Sequence, residues 1–516
     1  MKITFRWIVY TFLTLVMVVG IGTFVAEFLI KQKVGELIEQ KLPENLVGKY
    51  DDISVNIWTG SISLKRPSLI INNEENGVGH TFMNTEKLKV SKFNFWKYLK
   101  ENEIHIGNIV LENSKTTVFN GRKTADNNTV SEHKPNAKLP PIYIGSFKLE
   151  SAELAVYEND KDSTKLHIKN LYALIEEIEL SDKTLKKPIP IVYQNIAISS
   201  DSIFLRASAY ENLSLENFKL TNEDIVFNNI NFATKYSKTE LSHLIDVERD
   251  HYDLSLKSLS IHGYDFGFTK DTFYAKSNNV ILNTPSLEIF RDKLVADDLS
   301  IKPLYSKSLR ELPFRLTVDS LQIRNGFVQY QERVNEKNNG GSINFKDMDV
   351  VITNLGNTYA KNEKTKLEVN TIFMDNTPFS ATWHFDVHNA NDDFLFEGKV
   401  GRLEAEKMNR FTEPNLNVRL EGQAMQTFFT IDGNNNTSIT DMKINYSGFK
   451  VSLLRKDGQK KNKVLSALVN VFVSKNSKKK GEYYREASAD AKRDKTKSVF
   501  NFLWISVKNA LQKSLT

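Results

Sequence analysis

The chain has 516 residues, 69 Lys and Arg against 63 Asp and Glu, no cysteine, and 40% hydrophobic and 26% charged residues, the composition of an ordinary globular protein. These values exclude collagen, a disulfide scaffold and a polytopic membrane protein, and the missing cysteine removes thiol catalysis and Cys-ligated zinc or iron–sulfur centres. The net charge of +6 is too weak to argue for nucleic acid, and it is concentrated at one end, where Arg455 to Thr516 holds 16 basic and 5 acidic residues.

The first element is apolar. Trp7 to Ile30 reads WIVYTFLTLVMVVGIGTFVAEFLI, with Glu27 its one charge. As a helix, Ile8 to Ile30 rises about 34 Å, enough to cross a bilayer core. Lys2 and Arg6 precede it, so the N-terminus is expected in the cytoplasm and the bulk outside the inner membrane; Lys31 and Lys33 oppose that orientation. The cysteine-free composition suits an oxidising compartment. A signal peptide cut after Gly22 is the alternative, but the apolar run continues through Phe28, Leu29 and Ile30 and is long for such a segment. Lys31 to Lys41 predicts a helical continuation, ended at Leu42-Pro43 because the residue before proline avoids the helical region. Cytoplasmic tip, transmembrane helix and juxtamembrane helix together occupy residues 1–45.

Residues 46–454 change to short alternating runs separated by Asn, Asp, Gly and Ser, the pattern of β structure. The runs repeat. IGSFKLESAELAVYE near 147 resembles VDSLQIRNGFVQYQE near 321, IGNIVLENSKTTVFN near 109 and LKSLSIHGYDFGFTK near 259. One template fits: apolar at n and n+2, a four-residue polar or small stretch read as a turn, then apolar at n+7 and n+9. Eight copies begin at Ile62, Ile109, Phe147, Ile196, Phe218, Leu259, Val280 and Leu321, and a weaker one at Leu171. Of the 32 template positions 31 are apolar, Thr116 being the exception, against seven of the 16 positions between them. The spacing therefore predicts repeated antiparallel hairpins with one dry face and one wet face. The dry face takes in Ile62 and Leu64, Ile109 and Leu111, Phe147 with Leu149, Leu154 and Val156, Ile196 and Ile198, and Phe218 and Leu220. It continues through Leu259, Ile261, Phe266 and Phe268, Val280 and Leu282, and Leu321 and Ile323.

Thirty-one apolar side chains left in water would cost on the order of 50–90 kcal/mol, so the face must be covered. Helices able to cover it are few, with short candidates only at Phe93 to Glu101 and Thr239 to Val247. Either the sheet closes on itself as a sandwich or barrel, the usual use of apolar strands, or it remains an open trough whose lining holds acyl chains.

Further along, His384, Asp386 and His388 share one strand face, a possible metal triad. Trp383, Phe385 and Val387 form the complementary apolar face, which makes the triad more simply a wet side. Asp432-Gly433-Asn434-Asn435-Asn436 resembles a calcium loop but lacks the Gly and Glu that an EF-hand needs, and reads as a turn. No P-loop, GxSxG or dinucleotide fingerprint is present, so no catalytic, cofactor or metal residue is assigned and the protein is read as non-enzymatic.

Residues 455–516 form a basic tail. Val464 to Phe472 predicts a short apolar helix followed by Lys475, Lys478, Lys479 and Lys480. Lys497 to Lys513 carries Phe500, Leu503, Trp504, Val507 and Leu511 at helical spacing, too short to span a membrane. A Trp-bearing helix with basic flanks suits an anionic membrane surface; equally, it suits a cap over the open end of the sheet.

The anchor, the early SISLKRPSLII segment, the repeats at PIYIGSFKLESA (141–152) and PFRLTVDSLQIRNG (313–326), and the ending RDKTKSVFNFLW (493–504) together resemble the AsmA-like family of bacterial envelope proteins. The resemblance implies a single-pass inner-membrane anchor and an elongated periplasmic β-taco related to bridge-like lipid-transfer proteins. It implies phospholipid as the ligand, transport from inner toward outer membrane as the role, and other envelope proteins as further partners. With it, the open trough becomes the favoured reading. The alternative is an envelope scaffold or outer-membrane assembly factor with a self-filled core and protein partners.

Overall fold

The computed structural model describes residues 2–40, 42–122, 140–159, 163–184, 187–455, 475–477 and 483–516. The helix expected at 464–472 and the lysines at 478–480 lie outside the described residues. Among those described, the chain is mainly β, with 25 strands paired both antiparallel and parallel and not closed into a barrel.

Helix α1 (Lys2–Gln40) runs unbroken for 39 residues, joining the apolar segment and its expected continuation. Within it Thr14–Glu36 is long and apolar enough to cross a membrane, and its most apolar 18 residues are not buried against the protein. Pro43 follows, and its carbonyl accepts the N–H of Leu46 at 2.8 Å as the first strand begins.

The chain divides into two compact units, Met1–Ala207 with Ser214–Asn222, and Ser208–Leu213 with Glu223–Thr516. In the first, strands β1 (Leu46–Lys49) and β2 (Asp52–Asn56) are the two halves of one long strand. So are β3 (Ser61–Lys65) and β4 (Ser68–Asn72), β5 (Gly79–Asn84) and β6 (Lys87–Ser91), and β7 (Ile104–Glu112) and β8 (Lys115–Phe119). One set of halves pairs β2–β3–β6–β7 and the other β1–β4–β5–β8. Both β7 and β8 then lie parallel to β9 (Ile142–Tyr157). The ladder continues antiparallel through β10 (Thr164–Leu180) and β11 (Asn195–Arg206). Helix α2 (Phe95–Glu101), close to the expected 93–101, bridges β6 and β7.

Strand β12 (Glu211–Leu220) divides between the units. The second unit orders β13 (Asp224–Thr234), β14 (Asp250–His262), β16 (Thr272–Asp292), β17 (Arg315–Arg333), β18 (Gly341–Gly356), β19 (Thr365–Phe373), β20 (Thr377–Phe385) and β21 (Phe394–Val400). It then runs through β23 (Val418–Gly433) and β24 (Thr437–Leu453) to β25 (Arg485–Lys492). Short β15 (Asp265–Thr269) extends β14 along β16, and β22 (Leu403–Glu404) pairs with β23. Helix α3 (Lys238–Leu244), near the expected 239–247, starts at a capping box formed by Ser237 and Glu240. Helices α4 (Tyr305–Arg310) and α5 (Asn409–Leu416) are short and lack a long apolar period. Helix α6 (Val499–Leu515) closes the chain.

Two expectations are corrected. The sheet is not wholly antiparallel, because β7–β9, β8–β9 and β16–β17 are parallel. The repeat is also not a hairpin: in seven copies both apolar pairs lie along one strand line, and only the copy at Phe218 crosses from one strand to the next. In six of these seven a left-handed residue stands at n+4 in place of the turn, namely Arg66, Asn113, Ser151, Gly263, Thr284 and Asn325, with φ between 47° and 59°; the copy at Ile196 has none at Ser200. In an unbroken strand n and n+7 face opposite sides; one extra bulge residue restores n+7 and n+9 to the face of n. A four-residue turn has the same effect on parity, so the shared face survives while the chain runs on instead of folding back. β9, at 16 residues, therefore extends about 53 Å.

Candidate functional site: an apolar strand face

In the first unit the bulges line up. Arg66 N–H donates to the Glu86 carbonyl at 2.8 Å, Glu86 N–H to Glu112 at 3.1 Å, and Asn113 N–H to Glu150 at 2.9 Å. Bulges bend the strands that carry them, and here they form one line from β3 to β9. Its solvent side is polar: Asn113 Nδ2 donates to Glu86 at 2.5 Å, and Arg66 pairs with Asp51.

Aligned bulges keep the template in register between neighbours. Ile109 lies beside Phe147, Leu111 beside Leu149, Thr116 beside Leu154 and Val118 beside Val156. In the second unit Val280 lies beside Leu321, Leu282 beside Ile323, Leu287 beside Val328 and Ile289 beside Tyr330. Antiparallel partners obey the same rule, with Ile196 opposite Ile175, Ile198 opposite Ala173, Leu259 opposite Leu282 and Ile261 opposite Val280. In each unit the template side chains of these paired strands thus lie side by side.

That face is incompletely covered. Of the twenty residues named for it, Leu64 and Leu111 are buried, Phe266 and Phe268 are exposed, and sixteen, among them Phe147, Ile196, Phe218, Val280 and Leu321, are half-buried. A filled core is found elsewhere, where β20 to β25 pack against α6: Trp383, Phe385, Phe394, Ile431, Met442 and Phe502 are each no more than 5% exposed. One protein therefore contains both a packed interior and an apolar face without one.

Along β16 and its neighbours the face ends in charge. Arg291 follows Ile289 on the same side and donates to both Asp250 oxygens at 2.7 Å. Tyr252 donates to Asp250 at 3.2 Å and Tyr330 to Glu332 at 2.7 Å. Burial, with the Asp250 charge beside it, pushes the Tyr252 hydroxyl up to about 12. Buried Glu248 nearby takes Lys293 at 2.5 Å and Lys497 at 3.4 Å, and Lys497 also reaches Asp297 at 2.9 Å. The alternation of Ile289 and Arg291 makes this border legible in hindsight, whereas its partner Asp250 lies 41 residues away.

The tail helix turns differently from its expected stripe. Leu503 is buried, with Val507 and Leu511 partly so, but the packed line is Val499, Phe502, Leu503, Ser506 and Ala510, while Phe500 and Trp504 remain 63% and 43% exposed. Small Ser506 and Ala510 allow close approach to the sheet; Ser506 Oγ lies 2.7 Å from Ser438 Oγ. A period search weighted to large residues selects the neighbouring stripe.

The 384–388 segment is structural. Trp383, Phe385 and Val387 enter the core, Asp386 accepts the N–H of His388 at 2.8 Å, and the His388 ring contacts the Tyr359 carbonyl at 2.8 Å. Asn434 Oδ1 accepts the N–H groups of Asn436 and Thr437 at 2.9 and 3.1 Å, as a turn requires. Among the described residues no three His, Cys, Asp or Glu side chains gather to hold a metal ion.

The sequence matches no family model and no curated protein.

Proposed function

We propose that the protein is a non-enzymatic, membrane-anchored lipid-binding protein in which the apolar strand face receives phospholipid acyl chains. The observation that carries this reading is the half-burial of sixteen of the twenty template side chains in a chain that builds a filled core where β20 to β25 pack against α6. An acyl chain laid along such a face removes the remaining apolar surface from water, while headgroups stay at polar borders such as the Asp250–Arg291 cluster. Bending at the bulges turns the face into a groove, and no catalytic group is needed for a lipid to slide along it. The resemblance to AsmA-like proteins supports the same reading and adds its setting: inner-membrane anchor, periplasmic bulk, and phospholipid passage toward the outer membrane.

The test is site-specific photo-crosslinking in the full-length protein purified from cells. A benzophenone side chain at Leu282 or Ile323 should yield lipid adducts by mass spectrometry, and one at the opposite-face Glu288 should not. Equal labelling at all three positions, or none at any, removes the lipid path and leaves the scaffold reading.

A further inference from the structure

We infer that the β2–β3 turn carrying Trp58, together with α2, docks on the lipid interface of the membrane that α1 enters, holding the first edge of the sheet in a fixed orientation above the bilayer. The inference rests on α1 as the membrane anchor.

Arg6 and Glu27 bracket Trp7–Ala26, twenty residues without a charge. As a helix they rise about 30 Å, the thickness of a bilayer hydrocarbon core, which puts Glu27 at the boundary on the side of the sheet. Glu27 is already partnered there, its carboxylate accepting the Ile57 N–H at 3.1 Å. The β2–β3 turn is thereby level with the edge of the hydrocarbon.

The next contacts set the direction of the strands. Lys31 pairs with Asp52 at 3.1 Å. A side chain on Gly35 would meet the Tyr50 hydroxyl, and one on Gly48 would meet Ile38 and Leu42. Moving up α1 from 27 to 38 therefore follows the chain back from 57 to 48, so helix and edge strands run side by side. The turn at 57–60 is the near rim, and the β4–β5 turn at 73–78, about twelve residues or roughly 40 Å along the same strands, is the far rim.

The near rim has the composition of a membrane interface. Trp58 is 72% exposed in a turn fixed by Asn56, whose side chain accepts the Thr59 N–H at 3.0 Å. The Gly60 carbonyl accepts the Phe93 N–H at 3.0 Å, which ties the turn to the entrance of α2. That helix reads Phe-Trp-Lys-Tyr-Leu-Lys-Glu, with Tyr98 exposed. Indole and phenol rings with flanking lysines favour the headgroup level, where rings meet acyl ends and ammonium groups meet phosphates.

Because the chain has no cysteine, single-cysteine variants give clean labelling. Full-length Trp58→Cys, Phe24→Cys and Asn76→Cys, each carrying an environment-sensitive fluorophore, would be reconstituted in phosphatidylethanolamine and phosphatidylglycerol vesicles with or without brominated chains. Phe24 and Trp58 should lose about twofold or more of their emission on bromination, and Asn76 should not change. Quenching at Phe24 without quenching at Trp58 overturns the docking while leaving the anchor in place. No quenching at Phe24 overturns the anchor itself, and quenching at Asn76 overturns the orientation.

Discussion

Thr284 and Asn325 occupy matching points of the parallel strands β16 and β17, both left-handed, at φ 51° and 53°, and Asn283↔Arg324 before them and Ser286↔Phe327 after them keep the same offset. Two strands that each skip at the same point stay in register, and this keeps Leu287 and Ile289 beside Val328 and Tyr330 on the apolar side.

Replacement at the bulge should follow backbone preference. Asn325→Gly keeps a residue at ease with positive φ and should unfold near the wild-type temperature, whereas Asn325→Val forces a β-branched residue there at about 1–2 kcal/mol or more. Deleting Asn325 should be far worse, since it turns Val328 and Tyr330 to the wet side. Thermal unfolding of the three variants gives the order; a harmless deletion would refute the parity argument.

Charge on the apolar face should be tolerated where charge in the core is not. Leu259→Asp and Leu321→Asp sit at half-buried positions open to water or lipid, so both variants should accumulate normally and unfold near the wild-type temperature, with reduced lipid crosslinking. Ile431→Asp buries a carboxylate at a fully enclosed site and should cost several kcal/mol, on the order of 3–5, and leave little folded protein. Equal degradation of all three would mean that the face is filled.

The tail helix separates packing from exposure within one turn. Phe502→Ala should destabilise by about 3–5 kcal/mol through cavity formation, and Trp504→Ala by less than about 1 kcal/mol. Denaturant unfolding of the full chain decides, and the reverse order would mean the helix packs by its large-residue stripe.

Acid should release one specific constraint. Burial acts to raise the Asp292 carboxyl, but hydrogen bonds from Arg333, Ser242 and the Leu294 N–H outweigh it and hold the group below the ordinary carboxylate range. A depressed carboxylate contributes stability that is present above its unfolded value, about 3.9, and lost as pH falls through the folded value. Wild type should therefore lose stability more steeply than Asp292→Asn below about pH 4. Parallel acid curves for the two proteins would show that the pair contributes nothing.

Topology has its own check. Protease added to spheroplasts should digest the bulk of the chain, and complete protection until lysis would reverse the orientation read from Lys2 and Arg6.

The sequence by itself determined the apolar helix, its continuation to the proline stop, and the spacing that aligns the template residues along a strand. Each depends on local period or on parity, and parity is the same whether Phe147 and Leu154 are joined by a turn or by a bulge. What a local pattern cannot distinguish is whether the chain folds back or runs on, because Glu150-Ser151-Ala152 suits either. That choice was made by neighbouring strands, when Asn113 and Ser151 came side by side and the Asn113 N–H found the Glu150 carbonyl. The parallel pairs, the Asp250–Arg291 border and the buried line of α6 were likewise decided in three dimensions. Their partners are far apart in the chain, and the small residues Ser506 and Ala510 are chosen for closeness to a surface that the sequence does not display.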